Sequence, residues 1–237
     1  MTITPEQRTA AKVAGWIYLI AMATSMFAEL YLRGPLIVSR DAVQTALNIA
    51  ASERAFRISS VIHLLTFASD AMLAVALYTI LKPVNRSVAL LAAFWRLADC
   101  GILTAAVLND FAALRFLAST DYLRAFDTQQ LQVLARVFIS IGAAGYQLGF
   151  VFLGLGSTAF SYLWLRSGYI PRPIAVWGIF ASLVLTLGTL AIVIFPTLGV
   201  IGLSYMAPMF FYEVGLGLWL LVKGLREHGA PGPTTAV

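Results

Sequence analysis

Four ionisable residues stand inside long apolar stretches of this 237-residue chain: Asp70, Arg96, Asp99 and Glu213. If all four side chains were ionised, three carboxylates beside one guanidinium would leave two uncompensated negative charges. In a low-dielectric interior, desolvation and like charge both oppose such an excess. We therefore expect a protonated carboxyl group, a protonated His63, or a bound cation or cationic ligand among these residues.

A purely structural role explains the same residues differently. The two aspartates would then clamp Arg96, and Glu213, as a neutral acid, would form a hydrogen bond with Tyr212 or Gln147. Such a cluster would do no more than fix the register of the helices that carry it. Both interpretations require that the four residues lie on neighbouring elements of one fold.

The composition is that of an integral membrane protein. Hydrophobic residues make up 60% of the chain and charged residues 11%, and the mean hydropathy is +0.85. Soluble domains carry about 25% charged residues, so this chain has too few to cover a water-exposed surface. The basic residues are scattered along the chain, which does not fit a nucleic-acid-binding surface. The single cysteine, Cys100, excludes an intramolecular disulfide.

Six apolar stretches are long enough to cross a bilayer. A helix needs roughly 20 apolar residues to span a hydrocarbon layer of ~30 Å, whereas barrel strands are about half as long and alternate in polarity. The sequence therefore predicts an all-α bundle of six transmembrane helices, with one domain over residues 1–228 and a loose tail over 229–237. The predicted spans are residues 13–31, 58–81, 88–108, 138–165, 174–195 and 205–222.

Charges at the span ends indicate that the protein lies in a bacterial inner (cytoplasmic) membrane with both termini on the cytoplasmic side. In that orientation eight Lys and Arg residues lie on the cytoplasmic side and seven on the outer side, and all three lysines are cytoplasmic. The short inner loops carry the clearest bias, with Lys82, Arg86, Arg166 and Arg172. The two longer outer connections, residues 34–57 and 109–137, are expected to lie at the membrane interface, the first as a short helix.

Helix geometry predicts that three of the four charges meet at mid-membrane. The second and third spans are joined by a short turn, so they must be antiparallel neighbours. Asp70 stands eleven residues before the end of its span and Asp99 eleven residues after the start of the next, which gives them the same depth. Arg96 shares a face with Asp99 and is expected to lie about 4.5 Å nearer the cytoplasm. Glu213 is then a mid-span acid on the sixth helix that lacks a full counter-charge.

Further polar residues follow helical spacing. One set on the second span, at i, i+4, i+7 and i+11, is Ser59, His63, Thr66 and Asp70. Because the chain has only two histidines, a bis-histidine haem or a multi-histidine metal site is excluded, and no metal site is predicted. No phosphate loop or dinucleotide fingerprint identifies a cofactor. The candidate ligand- or ion-binding residues are therefore Asp70, Arg96, Asp99, Glu213, His63 and Gln147.

Three blocks of sequence resemble a family of bacterial membrane proteins. Residues 46–57 read ALNIAASERAFR, residues 76–96 read ALYTILKPVNRSVALLAAFWR, and residues 212–224 read YEVGLGLWLLVKG. Together they are similar to the family named domain of unknown function 4386. The resemblance implies a multi-helix membrane protein and lends no catalytic residues. It does place Arg96 and Glu213 in the blocks that make the family recognisable.

Three functions remain open on the sequence. The first is the handling of a small solute, an ion or a proton by the mid-membrane charges, with His63 toward the outer mouth. The second is a non-catalytic accessory or scaffold subunit, whose charges pin helices together and whose loops contact other membrane subunits in the lipid bilayer. The third is a membrane-embedded enzyme that uses Asp70 or Glu213 as an acid or base on a lipid-like substrate. A cavity reaching the charges would favour the first or the third, and a dry, fully paired cluster the second.

Overall fold

The computed structural model describes residues 3–39, 41–118, 125–202 and 204–227, where the regular elements are helices. Six helices in these ranges are long and apolar enough to cross a membrane. The prediction of an all-α membrane protein with six spanning helices is thus confirmed. In chain order the α-helices are α1 Pro5–Phe27, α2 Ala42–Ala51, α3 Glu53–Leu81, α4 Arg86–Leu117, α5 Thr128–Ser167, α6 Arg172–Ile194 and α7 Ala207–Val222.

Local sequence explains where several helices begin and end. At the start of α1, Thr4 Oγ1 accepts a hydrogen bond from the Gln7 amide at 3.2 Å, and the Gln7 side chain accepts one from the Thr4 amide at 2.9 Å. This reciprocal capping box satisfies amides that have no partner within the helix. Asp127 and Gln130 form the same arrangement at the start of α5. That helix ends at Gly168, whose left-handed backbone (φ 65°) suits a residue without a side chain.

The first spanning segment is longer than its α-helix. A π-helical turn over Ala28–Arg33 and a 3-10 turn over Gly34–Leu36 extend it, so that the apolar segment runs over Pro5–Leu36. Turns of the π type occur mostly as single insertions within helices, often at functional sites. Here the turn ends at Arg33, which is buried.

The predicted interfacial connection over residues 109–137 is largely helical instead. α4 continues nine residues past the predicted limit at 108, and α5 begins ten residues before the predicted limit at 138. The polar pair Asn109 and Asp110 suggested the end of an apolar span, but a helix can continue through polar residues that find partners inside the fold. Residues 119–124 lie outside the described part of the chain.

The short helix α2 matches the one predicted between the first two spans. The Asp41 side chain caps it by accepting a hydrogen bond from the Gln44 amide at 2.8 Å. Ile49 of α2 is fully buried and packs in a small apolar cluster with Phe56 and Ile139. α2 therefore covers the end of the bundle where α3 and α5 carry those two residues.

The six long helices form a closed ring. Each packs mainly against two others, in the order α1, α3, α4, α5, α6, α7 and back to α1. α3 and α4 are neighbours joined by a four-residue turn, as the sequence predicts. The charged residues Arg96, Asp99 and Glu213 are buried within this ring.

Gly178 allows α6 to lie directly against α5 and α7. A Cβ atom placed there would be 2.5 Å from Tyr212 Cζ and 2.6 Å from Ser161 Oγ. The ring of Tyr212 has little room to retreat, because the residue is 2% exposed and its hydroxyl lies 2.9 Å from Ser161 Oγ. A larger side chain at residue 178 must therefore push these helices apart.

Gly178→Ala should lower the melting temperature of the detergent-purified protein, since overpacking typically costs roughly 1–3 kcal/mol. Gly101→Ala is the matched control, because Gly101 is also within a spanning helix and nothing lies within 4 Å of its added Cβ. Alanine favours a helix over glycine by about 1 kcal/mol, so the control should be neutral or stabilising. Equal melting temperatures for the two variants would contradict the close contact at Gly178.

Candidate functional site

Arg96 of α4 lies between two aspartates in the middle of the ring. Its Nη2 is 3.6 Å from Asp70 Oδ1 on α3, and its Nη1 is 3.4 Å from Asp99 Oδ2 one turn along α4. Arg96 is 2% exposed and Asp99 is fully buried, while the Asp70 side chain keeps 18% of its surface exposed. We call Asp70, Arg96, Asp99 and Glu213 the central cluster.

Glu213 faces the other three residues from α7. It is 9% exposed, and the charge that acts on it most strongly is that of Arg96, followed by those of Asp70 and Asp99. Among the described residues, no ion pair within 4 Å includes Glu213. The neighbouring Tyr212 hydroxyl is bonded to Ser161 rather than to this acid. Glu213 is therefore a buried carboxyl within the field of Arg96 but without direct contact to it.

Helix α5 reaches the central cluster through glycines rather than through Gln147. A Cβ atom on Gly156 would be 2.9 Å from Arg96 Cγ, and one on Gly149 would be 3.4 Å from Asp99 Oδ1. Gln147 is half-buried, and no hydrogen bond joins it to another residue in the described ranges. The structure thus brings Asp70, Arg96, Asp99 and Glu213 together, while no hydrogen bond in the described ranges joins Gln147 to them.

Hydrogen bonding within the central cluster is incomplete. In the described part of the structure, both carboxylate oxygens of Asp99 are buried without a hydrogen-bond partner, as are Nε and Nη1 of Arg96. Buried polar groups whose role is to hold helices together are normally satisfied, because an unsatisfied group costs stability. The central cluster is therefore paired in charge but retains acceptor and donor atoms for a further partner.

A second charged cluster lies nearer the C-terminal end of α4. Arg33 Nη1 is 2.8 Å from Asp110 Oδ2, and Arg33 Nε is 3.8 Å from Glu29 Oε2. Ser60 Oγ donates to Asp110 Oδ2 at 3.2 Å, and the guanidinium lies 5.4 Å from the centre of the Phe56 ring. Arg33 is 5% exposed and Asp110 1%. These residues form a buried ion pair that the sequence analysis missed.

The missed pair had a signal in the sequence. On α4, one helix face at the spacing i, i+4, i+7 and i+11 begins and ends with an aspartate, and its residues are Asp99, Leu103, Ala106 and Asp110. The same spacing identified the polar face of α3. Ending the third span at residue 108 placed Asp110 in a connection instead. Arg33 is one of the seven residues that the sequence places on the outer side, and its contact with α4 is too distant in sequence for periodicity to reveal.

His63 lies with the second cluster rather than with the central one. It is 5% exposed, interacts electrostatically with Arg33, and its ring centre is 6.0 Å from that of Tyr146. Asp70 follows seven residues later on α3, about 10 Å along the axis. In the described ranges, His63 Nδ1, the Tyr146 hydroxyl and Asp110 Oδ1 are buried without hydrogen-bond partners. We call Arg33, His63, Asp110 and Tyr146 the outer cluster, after the side of the membrane that the sequence predicts for this end of α4.

An open groove on the surface of α5 is separate from both clusters. It has a volume of about 340 Å³ and lies beside α2, with Ala42, Val133, Arg136 and Ile141 among its lining residues. None of the predicted site residues lines it. Within the described ranges, no three His, Cys, Asp or Glu side chains are placed to hold a metal ion.

Arg96→Ala should destabilise the protein more than Arg115→Ala does. Removing Arg96 leaves buried carboxyl groups without their cation, a loss of about 3–5 kcal/mol. Arg115 lies on the same helix but is exposed, so solvent can take its place. Melting temperatures of the two variants in the same detergent measure the difference. Equal shifts would show that Arg96 is not the cation on which the cluster depends.

Comparison with known proteins identifies the family. The sequence pattern described as a domain of unknown function (DUF4386) matches residues 13–224. An uncharacterized protein of Archaeoglobus fulgidus is 25% identical over 159 residues, which are 66% of this chain and 78% of that protein. No solved structure matches the chain. Because the family pattern covers nearly the whole of the described bundle, the chain belongs to the DUF4386 family.

Proposed function

We propose that this membrane protein handles a small solute, an ion or a proton, and that a proton or small cation bound at the central cluster fits best. The observation that carries the proposal is the charge of that cluster. Three carboxyl groups, those of Asp70, Asp99 and Glu213, face the single guanidinium of Arg96 in the ring, and Asp99 and Glu213 are buried with it. A bound proton or cation would supply the missing positive charge.

The unsatisfied oxygens of Asp99 support the same proposal. Both are buried without a hydrogen-bond partner in the described residues, so they can accept a proton or bind a cation. Arg96 holds each aspartate at a distance longer than a close ion pair, at 3.4 and 3.6 Å. Glu213 adds a carboxyl that is near Arg96 without being paired to it. A site with these features can change its protonation without breaking a tight contact.

The depth of the cluster limits what it can bind. Arg96 is ten residues from the start of α4, about 15 Å along the axis, so the site is far from that end of the helix. Ionisable residues at such depth usually face an interior pathway and mark the route of an ion or proton. This depth supports an ion or a proton as the species that the cluster binds.

A scaffold role is the second candidate, and the ion pairs favour it. Arg96 lies within 4 Å of a carboxylate on α3 and another on α4, which ties these helices together. In a scaffold, the charges would fix helix register and the loops would contact other membrane subunits. The two functions differ in one measurable property, since a scaffold needs no proton or ion movement.

We further propose that the protein lies in the bacterial inner membrane with both termini inside. The short loops at one end of the bundle carry Lys82, Arg86, Arg166 and Arg172, which supports this orientation. Arg33, counted among the outer charges from sequence, is buried in an ion pair with Asp110. It therefore no longer counts as a loop charge, and the bias toward the inner side becomes larger.

Cysteine labelling tests the orientation. In a background with the buried Cys100 replaced by alanine, Ser39→Cys lies exposed between α1 and α2, and Ser87→Cys lies exposed at the start of α4. A membrane-impermeant maleimide should label Ser39→Cys in intact cells and Ser87→Cys only after permeabilisation. The reverse pattern would overturn the orientation.

Glu213→Gln should abolish proton movement while leaving the fold intact, because glutamine keeps the shape of a neutral acid but cannot exchange a proton. The purified protein is placed in liposomes that contain a pH-sensitive dye, and a potassium diffusion gradient with valinomycin drives proton flux. We expect flux with the wild type and the level of protein-free liposomes with Glu213→Gln.

The matched control for this test is Glu53→Gln, which changes an exposed glutamate paired with Arg57 on the same helix surface. This variant should retain wild-type flux, and both variants should keep the wild-type melting temperature. If Glu213→Gln retained full proton flux, or if wild-type liposomes moved neither protons nor sodium, the scaffold role would be favoured instead.

A further inference from the structure

We infer that the outer cluster is a second proton-binding site, from which His63 passes protons along α3 to the central cluster. This inference rests on the proposed function, because it names the transported species as the proton and identifies its route. His63 and Asp110 are each more than nine-tenths buried and retain a polar atom without a partner in the described residues. The Tyr146 hydroxyl, also unpartnered, faces the same space from α5.

Charged groups of both signs lie around His63, and the nearby positive charge of Arg33 makes it a carrier that holds a proton only in transit. The groups of this region are Arg33 and Glu29 from the π-helical turn that follows α1, Asp110 from α4, and Tyr146 from α5. Arg33 lies 2.8 Å from Asp110 and 3.8 Å from Glu29, so one guanidinium faces two carboxyl groups. While a proton is on the imidazole, the formal charges of this group balance. The side chain of Glu29 is 43% exposed, so the cluster has a polar connection to the surface.

Polar side chains on the α1–α3 seam connect the two clusters. Thr66 is one turn from His63 on α3, and its Oγ1 lies 3.4 Å from Ser25 Oγ on α1. Asp70 is the next polar residue on this face, four residues or about 6 Å further along the axis. Hydroxyl groups can relay protons because each is both a donor and an acceptor.

Apolar side chains of α3, α4 and α5 fill the rest of the same space. Phe67, Leu103 and Val107 form a buried cluster between the two charged sites, and Tyr146 and Phe150 pack against it. A hydrated metal cation would need oxygen ligands along its path, which these side chains do not provide. The arrangement therefore fits a proton passed between hydroxyl groups better than an ion that moves with its water shell.

The transfer is balanced without any change in heavy-atom bonds. A hydronium ion near Glu29 gives a proton to the imidazole of His63, which becomes an imidazolium, and the hydronium ion becomes water. The imidazolium releases a proton to the Thr66 hydroxyl, which gives its own proton to a carboxylate oxygen of Asp70. His63 returns to the neutral state, Thr66 is unchanged, and the central cluster has gained one positive charge.

Two conservative variants test the route. His63→Gln keeps a polar side chain that cannot carry the proton, and Thr66→Val removes one hydroxyl at nearly constant volume. Thr104→Val is the matched control, since Thr104 is exposed on the outside of α4 at a depth between the two clusters. The measurements are proton flux in the liposome assay and time-resolved infrared detection of protonated carboxyl groups after a pH jump.

We expect His63→Gln and Thr66→Val to lose most of the proton flux and to delay the carboxyl signal after the pH jump. The final amplitude of that signal should equal that of the wild type, because the central cluster itself is unchanged. Thr104→Val should match the wild type in both measurements. A loss of final amplitude in both route variants would show a structural role for these residues and overturn the inference.

The inference and the proposed function fail in distinguishable ways. Wild-type flux and kinetics in both route variants, together with loss of flux in Glu213→Gln, would overturn the route and leave the central site standing. Wild-type flux in Glu213→Gln, or no flux in the wild type, would overturn the proposed function and the route with it.

Discussion

The buried guanidinium of Arg96 is the constraint on which the rest of the structure depends. Arginine does not lose its charge in proteins, so a residue that is 2% exposed must be surrounded by counter-charges. Asp70 and Asp99 provide them from α3 and α4, which fixes the register of that hairpin. α5 can approach because Gly149 and Gly156 have no side chains to displace the cluster. α7 then brings Glu213 to the remaining side of the ring.

A second buried pair of an arginine and a carboxylate involves α4 at Asp110, which is fourteen residues or about 21 Å along the helix from Arg96. There the buried arginine comes from α1 and the carboxylate, Asp110, from α4. The π-helical turn at the end of α1 carries both Glu29 and Arg33, so the irregular backbone coincides with the residues that make this contact. α4 thus continues past residue 108, because Asp110 finds a partner in Arg33 and Asn109 donates to backbone carbonyls of its own helix.

Helix periodicity predicted the parts of the site that lie within one hairpin. The positions of Asp70, Arg96 and Asp99 follow from residue counts on either side of one short turn, and those counts do not depend on the other helices. Arg33 and Asp110 could not be paired in this way, because α1 and α4 are not consecutive spans. Gln147 was chosen by its polarity, yet α5 turns its glycines toward the cluster. The capping residues Thr4 and Asp127 were predictable because their partners are only three residues away.

The two clusters differ in a way that suits different roles along one path. Arg33 and Asp110 form a close pair at 2.8 Å, supported by Ser60, so neither charge is easily altered. Under the inferred route, a proton at this site would pass through neighbouring His63, whose Nδ1 has no hydrogen-bond partner in the described residues. At the central cluster the contacts of Arg96 are longer, and Glu213 remains unpaired within its field. Under the proposed function, a proton passed along this route would meet an excess of carboxyl groups at the central cluster and would reside longest there.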